Sequence, residues 1–344
     1  MPKHRIDRGF CVYNKSLAYY MERTVILMNL WTVILLFMLG LVLIVKGGDW
    51  FLDGAVWIAE VTGVPRFIIG ATIVSLATTL PELTVSITGV LAGEVDLAVG
   101  NAVGSVTANM GLILGISIVC IPSVVSKEHF NFKAALMVAA AALLFLLCRG
   151  GVLSVLPSLL LFAIFALYLF NNIRDARTGM AKRREEHGPH RISRRQLAMK
   201  LFLFAIGLAG IVAGSQLLIE YGSRLALILG VPASIIGVTM VAVGTSLPEL
   251  VTMLTAVAKR EAAMSIGNIV GANIIDLTLI LPICSAVSDG HLTIGPQTTS
   301  MDLPVCLAMA LVAVIPPLFR GRFYRAQGIL MLLLYLGYIV ILVL

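Results

Sequence analysis

Residues 63–109 return as residues 230–276 at a constant offset and without a gap, identical at about 20 of about 47 positions. The first copy reads GVPRFIIGATIVSLATTLPELTVSITGVLAGEVDLAVGNAVGSVTAN and the second GVPASIIGVTMVAVGTSLPELVTMLTAVAKREAAMSIGNIVGANIID. Whatever local structure one copy adopts, the other must adopt too. The setting narrows the choice further. Of 344 residues, 59% are hydrophobic and only 12% charged, against about 25% charged in soluble domains. The apolar residues fall in runs long enough to cross a bilayer as helices. Ten spans are expected, near 29–46, 67–91, 97–121, 133–148, 152–170, 198–220, 233–257, 262–284, 302–319 and 326–344. The first and sixth are expected to run longer and tilt, because residues 47–60 and 221–229 keep a partly helical pattern.

Five spans per half is an odd number, so the second copy enters the membrane from the opposite side. Inverted repeats of this kind are a plan that many secondary transporters use for alternating access. The duplication favours a carrier over a channel or a membrane enzyme.

The net charge of +7 would raise nucleic-acid binding in a soluble domain. Here the basic residues sit between apolar spans, which is what the positive-inside rule produces, and no nucleic-acid partner is expected. Segment 171–200 carries Arg174, Arg177, Lys182, Arg183, Arg184, Arg191, Arg194, Arg195 and Lys200 and is placed in the cytoplasm. Lys127 and Lys133, Lys259 and Arg260, and Arg320, Arg322 and Arg325 fall on the same side, while the opposite loops are poor in Lys and Arg. Both chain ends then lie outside, in a multi-pass protein of the cell membrane. Residues 1–25 disagree, because Lys3, Arg5, Arg8, Lys15 and Arg23 resist translocation and no signal-peptide core precedes the first span. The natural chain is therefore expected to start at Met21 or Met28, and detection of residues 1–20 by intact mass of the natural protein rules that out.

Each copy buries an acid in a helix, as Leu80-Pro81-Glu82 and as Leu247-Pro248-Glu249. A carboxylate in mid-membrane costs at least ~2.5–3.5 kcal/mol and marks a functional site. Pro81 has no N–H for the carbonyl of Ala77, and Pro248 none for Gly244, so the helix is expected to open there. Freed carbonyls are tolerated at this depth only where they line a cavity or hold something. With Thr78 and Thr79, or Thr245 and Ser246, each break offers only oxygen donors, the set that hard cations such as calcium take. Glycines follow in Gly100-Asn101-Ala102-Val103-Gly104 and Gly267-Asn268-Ile269-Val270-Gly271, at a spacing that lets helices approach closely. Asn109 and Asp276 occupy equivalent positions further along, and Asp276 is expected to join the same site or carry a proton.

His4, His129, His187, His190 and His291 are read as loop or tail residues. Cys120, Cys148, Cys284 and Cys306 are read as packing residues in or beside apolar spans, so no zinc or copper donor set is expected. No Walker A pattern is present, so ATP is not expected to drive the chain. The fold class expected is an all-α polytopic membrane protein, ten transmembrane helices as two inverted five-helix repeats with broken helices at the ion site. Its parts are an N-terminal extension (1–27), a first repeat (28–170), a basic loop (171–197) and a second repeat (198–344).

The paired elements Ala77-Thr78-Thr79-Leu80-Pro81-Glu82 and Gly244-Thr245-Ser246-Leu247-Pro248-Glu249, each followed by GN-x-x-G, resemble the alpha repeats of the cation/Ca²⁺ exchanger superfamily. The nearest branch is that of the prokaryotic Na⁺/Ca²⁺ exchangers. The resemblance implies exchange of Ca²⁺ for Na⁺, with the two ions as cargo and no resident cofactor. It implies Ca²⁺ ligands at Glu82, Glu249, Thr78 and Thr245, flanking Na⁺ sites at Thr79, Ser246, Ser105, Ser75 and Ala242, and a central position at Asn109 and Asp276. The chain departs from the pattern at Ala77 and Thr79, where Gly and Ser are common. It departs again at Gly104-Ser105-Val106 and at Gly271-Ala272-Asn273, where Ala272 lacks a hydroxyl. Gly104 and Gly271 stand where proton-coupled relatives carry Glu, which favours Na⁺ coupling. K⁺-linked or H⁺-linked exchange stays open through Asp276, and a cation channel and a membrane enzyme or assembly protein are the remaining alternatives. The partners expected are the lipid bilayer and small cations, with no protein partner indicated.

Overall fold

In lipid a spanning segment must satisfy its own backbone N–H and C=O groups, so the apolar runs become helices. The computed structural model describes residues 30–124, 126–187, 193–229 and 244–343. Its helices are α1 (Leu30–Thr62), α2 (Arg66–Leu91), α3 (Val95–Cys120), α4 (Lys127–Gly150), α5 (Val155–Glu186), α6 (Arg194–Ile228), α7 (Leu247–Ala258), α8 (Ala262–Val287), α9 (Thr298–Arg320) and α10 (Arg325–Leu342). Among the described residues nine of these, all but α7, are long and apolar enough to cross a membrane. The expected seventh span is described only from residue 244. The proposed start residues Met21 and Met28 lie outside the described residues, as does Ala242.

The other spans fall close to their expected places, and the long first and sixth spans are present. At a rise of about 1.5 Å per residue, the 33 residues of α1 and 35 of α6 exceed a hydrocarbon core of about 30 Å. Three features differ from expectation. The basic segment read as a loop stays helical to His187 and is helical again from Arg194. Its Arg, Lys, Glu and Ala are good helix formers, and no proline interrupts it before Pro189. The fourth helix begins at Lys127 rather than near residue 133, which moves His129 out of a loop and into the helix. Two short strands, β1 (Val152–Ser154) and β2 (His291–Thr293), pair antiparallel and join the two halves of the chain, so His291 is also not in a loop.

Burial sorts the helices into two groups. The most apolar window of α8 is 83% buried and that of α3 is 72% buried, whereas those of α1, α5, α6 and α10 are each 22% buried. The repeat helices form the centre, and the outer helices turn residues such as Leu35, Leu156, Phe202 and Leu333 outward. Helices α1 and α6 pack along each other. They touch through glycine: a Cβ on Gly47 would meet the carbonyl of Gly207 at 2.8 Å. At the end of the bundle where α7 meets α8, Lys259 pairs with Asp49 (3.2 Å) and Asp53 (2.7 Å) of α1. Arg66 there bridges Glu60 (3.2 Å) and Glu261 (2.5 Å).

Lys133 is fully buried, with Nζ donating to Asp175 Oδ2 at 2.6 Å and to Asn171 Oδ1 at 2.8 Å. It therefore belongs to an internal ion pair between α4 and α5, not to the solvated loop charges. Cys148, Cys284 and Cys306 are buried, whereas Cys120 is exposed and fills no core position.

Candidate cation site

The two repeats meet where α2 crosses α8. Neither crossing glycine can be replaced freely. A Cβ on Gly70 would run into the carbonyl of Met264, and one on Gly267 into the carbonyl of Phe67. That close approach brings the Pro-Glu turn of the first copy against the GN-x-x-G helix of the second.

Thr79 and Ser246, at equivalent repeat positions, precede the Leu-Pro-Glu turns with nearly the same backbone, φ −84° and ψ −4° against φ −84° and ψ 5°. Each falls in the sparsely populated bridge region that active-site residues frequent. The first-copy helix stops at Thr78 and resumes at Leu80. Across the interruption the Thr79 N–H still donates to the Ser75 carbonyl at 2.9 Å, and the Leu83 N–H to the Thr79 carbonyl at 3.0 Å. Asn109 and Asp276 each begin a wider, π-helical stretch, Asn109–Leu114 and Asp276–Ile280. Such bulges recur at functional sites. The first packs on α7 and the second on the later part of α2.

These turns converge on three acids. Glu82 and Asp276 are buried at 0% and 1% exposure, and Glu249 at 1%. Glu82 lies within electrostatic reach of Glu249 and Asp276, and Ser105 stands beside both Glu82 and Asp276. Thr78 stands beside Glu249. Among the described residues none of the six carboxylate oxygens has a hydrogen-bond partner, and neither has either amide atom of Asn109. Natural proteins leave few such atoms unpaired, because each costs about 1–3 kcal/mol and charged ones more.

Hydroxyls and amides surround the acids, and they pair across the repeats. Thr78 Oγ1 donates to Asn268 Oδ1 at 3.3 Å, and its repeat equivalent Thr245 donates to the equivalent Asn101 Oδ1 at 3.0 Å. Ser105 and Ser246 join hydroxyl to hydroxyl at 2.9 Å. Its repeat counterpart pairs no hydroxyls, because Ala272 has none, and Thr79 Oγ1 turns back to the Ser75 carbonyl at 2.6 Å. Ser75 Oγ donates to the Thr72 carbonyl at 3.2 Å. Of the residues expected at the site, all that are described lie in this region, and all but the half-buried Thr245 are buried. Asn101 and Asn268 were not among those expected. Their signal was present, since the same amide stands at the same place in both copies, but the glycines of that motif drew attention to helix packing instead.

Among the described residues no three His, Cys, Asp or Glu side chains converge tightly enough to hold a metal by themselves. A cation here would need hydroxyl, amide and carbonyl oxygens to complete its shell, which is how calcium is held in proteins.

Comparison with known proteins agrees with this architecture. The family described as "Sodium/calcium exchanger protein" matches residues 32–174 and 199–344. An uncharacterized membrane protein of Methanocaldococcus jannaschii is 31% identical over 301 residues, 87% of this chain and 94% of that one. The sodium/calcium exchanger MaX1 of Methanosarcina acetivorans is 29% identical over 343 residues, 90% of this chain and 97% of that one. The solved structure of the sodium-calcium exchanger NCX_Mj, soaked with Na⁺ and Sr²⁺, superposes with a TM-score of 0.78 at 29% identity, covering 91% of this chain and 99% of that one. With the family match extending over most of both halves, this multi-span membrane protein belongs to the sodium/calcium exchanger family.

Proposed function

We propose that the chain is a secondary-active antiporter that exchanges Ca²⁺ for Na⁺ by alternating access, built as two inverted five-helix repeats with broken helices at the ion site. The observation that carries this is the set of three buried acids, Glu82, Glu249 and Asp276, with all six oxygens unpartnered among the described residues. The reciprocal Thr78–Asn268 and Thr245–Asn101 bonds support the repeat. So do the matching backbones at Thr79 and Ser246.

In this reading Glu82, Glu249 and the backbone oxygens of Thr78 and Thr245 hold Ca²⁺. Ser75, Thr79, Ser105, Ser246 and Ala242 supply oxygens to flanking Na⁺ sites, with Asn109 and Asp276 between them. One Ca²⁺ or several Na⁺ neutralise the same carboxylates, so the two loads compete. An empty site keeps its charge, and moving it past lipid is costly. Exchange is therefore obligatory. Helices α1 and α6, which touch the bundle from outside, slide against it to open the site to either face. The segment 171–200 faces the cytoplasm and both termini lie outside.

The test is ⁴⁵Ca²⁺ uptake into proteoliposomes preloaded with Na⁺, K⁺ or neither. Uptake that requires internal Na⁺ supports Na⁺/Ca²⁺ exchange. Uptake indifferent to Na⁺ but driven by a pH gradient moves the protein to proton coupling, and uptake without any counter-ion gradient refutes antiport.

A further inference from the structure

Asn101 and Asn268 hold the same place in the two repeats, yet they are fixed differently. Asn101 is tied at both ends of its amide. Its Oδ1 accepts from Thr245, while its Nδ2 donates to the Glu82 carbonyl at 3.2 Å and to Ser86 Oγ at 3.0 Å. Asn268 is more deeply buried, at 1% exposure. Its Oδ1 accepts from Thr78 at 3.3 Å, but its Nδ2 has no partner among the described residues.

The sequence supplies the reason. The residue equivalent to Ser86 is Met253, which is fully buried and has no hydroxyl to offer. Of the two acceptors that hold the first amide, the serine anchor is missing from the second copy, and the Glu249 carbonyl, equivalent to the other, does not take up the Asn268 amide either. A half-turn about the last torsion of Asn268 exchanges oxygen and nitrogen with no change of shape. It lets Nδ2 donate to Thr78 Oγ1, a hydroxyl that accepts as readily as it donates, and it moves Oδ1 into the place the unpaired donor now occupies. That hydroxyl stands beside Glu249. The turned amide would then free the Thr78 proton for the Glu249 carboxylate and add an uncharged oxygen to an oxygen-only site.

We propose that Asn268 is a turning ligand, found in one repeat only, whose side-chain oxygen joins the shell of the bound hard cation, while Asn101 is held as a strut by Ser86. The proposal rests on the cation-exchange reading of this site. It gives the two halves unequal roles in holding the ion, although their motifs match.

The experiment compares Met253→Ser with Met253→Ala. Both open the same space, but only serine restores the missing anchor and pins the amide. Ca²⁺ affinity of purified protein is read by isothermal titration, and Na⁺-driven Ca²⁺ uptake is read in proteoliposomes. Relative to Met253→Ala, Met253→Ser is expected to raise both the Ca²⁺ Kd and the KM about tenfold, with kcat changed less than twofold. Asn268→Leu should weaken binding at least as much, and Asn268→Asp, which presents oxygen whichever way it turns, should retain it. Equal Kd for the Ser and Ala variants, with Asn268→Asp no tighter than Asn268→Leu, overturns the proposal and leaves a structural amide paired by water. If Asn268→Leu does not fold, the Met253 pair still decides. If wild type binds Ca²⁺ but does not exchange it, the exchange reading fails while the titrations still judge Asn268.

Discussion

Glu249→Gln keeps the shape of a buried side chain and removes one negative charge from the Glu82–Glu249–Asp276 cluster. Two unit charges about 4 Å apart attract by about 4 kcal/mol at an effective dielectric near 20. A divalent cation doubles that gross figure. Part is returned, because glutamine no longer has to be stripped of its water at a cost of several kcal/mol. With about 3 kcal/mol returned in either case, a net loss of about 5 kcal/mol for a divalent ion is on the order of a few thousandfold in Kd, and about 1 kcal/mol for a monovalent ion is roughly fivefold. The signature is therefore unequal weakening: Ca²⁺ should suffer more than Na⁺. The assay is ⁴⁵Ca²⁺ equilibrium binding to purified protein, titrated with Na⁺ as competitor, with ⁴⁵Ca²⁺ uptake run alongside. By the repeat, Glu82→Gln should behave alike. A loss of Ca²⁺ affinity below tenfold, or equal losses for both ions, refutes the claim that these unpartnered oxygens face the cation.

Other consequences are as definite. Gly267→Ala places a methyl against the Phe67 carbonyl and within 3.1 Å of the Ala71 nitrogen. It should lower stability by at least about 1–3 kcal/mol, seen as a lower thermal midpoint in detergent, whereas Gly337→Ala, with nothing within 4 Å, should not. Lys133→Met leaves Asp175, whose side chain is 18% exposed, with only the more distant His129 Nδ1 at 3.6 Å beside it. Solvent tempers the penalty to about 2–3 kcal/mol, and the double change with Asp175→Leu should recover most of it in the same melt. Lys259→Gln removes half-exposed pairs and should change the melting free energy by no more than about 1 kcal/mol, less still at high salt. Asp276→Asn should abolish any K⁺ or pH dependence of uptake if that acid carries it, and a dependence that survives assigns it elsewhere.

The spans that the described residues contain, and the duplicated acids, were legible in the chain itself. A bilayer fixes the length and polarity that a helix must have, and a proline beside a buried carboxylate signals a local break, so both can be read from neighbours in sequence. Helix ends were less legible, because the segment after residue 170 turns polar without ceasing to favour helix, and polarity was mistaken for loop. What the residues meet across the bundle was not legible at all. Nothing in the order of residues pairs Thr78 with Asn268, Thr245 with Asn101 or Ser105 with Ser246. The first exists because α2 and α8 cross glycine on backbone, and the other two because α3 lies against the start of α7. Lys133 illustrates the same limit, since its charge pointed to water until a carboxylate 42 residues away was folded against it. The exchange of Ser86 for Met253 was visible between the two copies from the start. It acquired meaning only when the tertiary structure showed the serine holding an amide that the methionine leaves free, since a hydrogen bond is a relation in space that repeat symmetry alone does not specify.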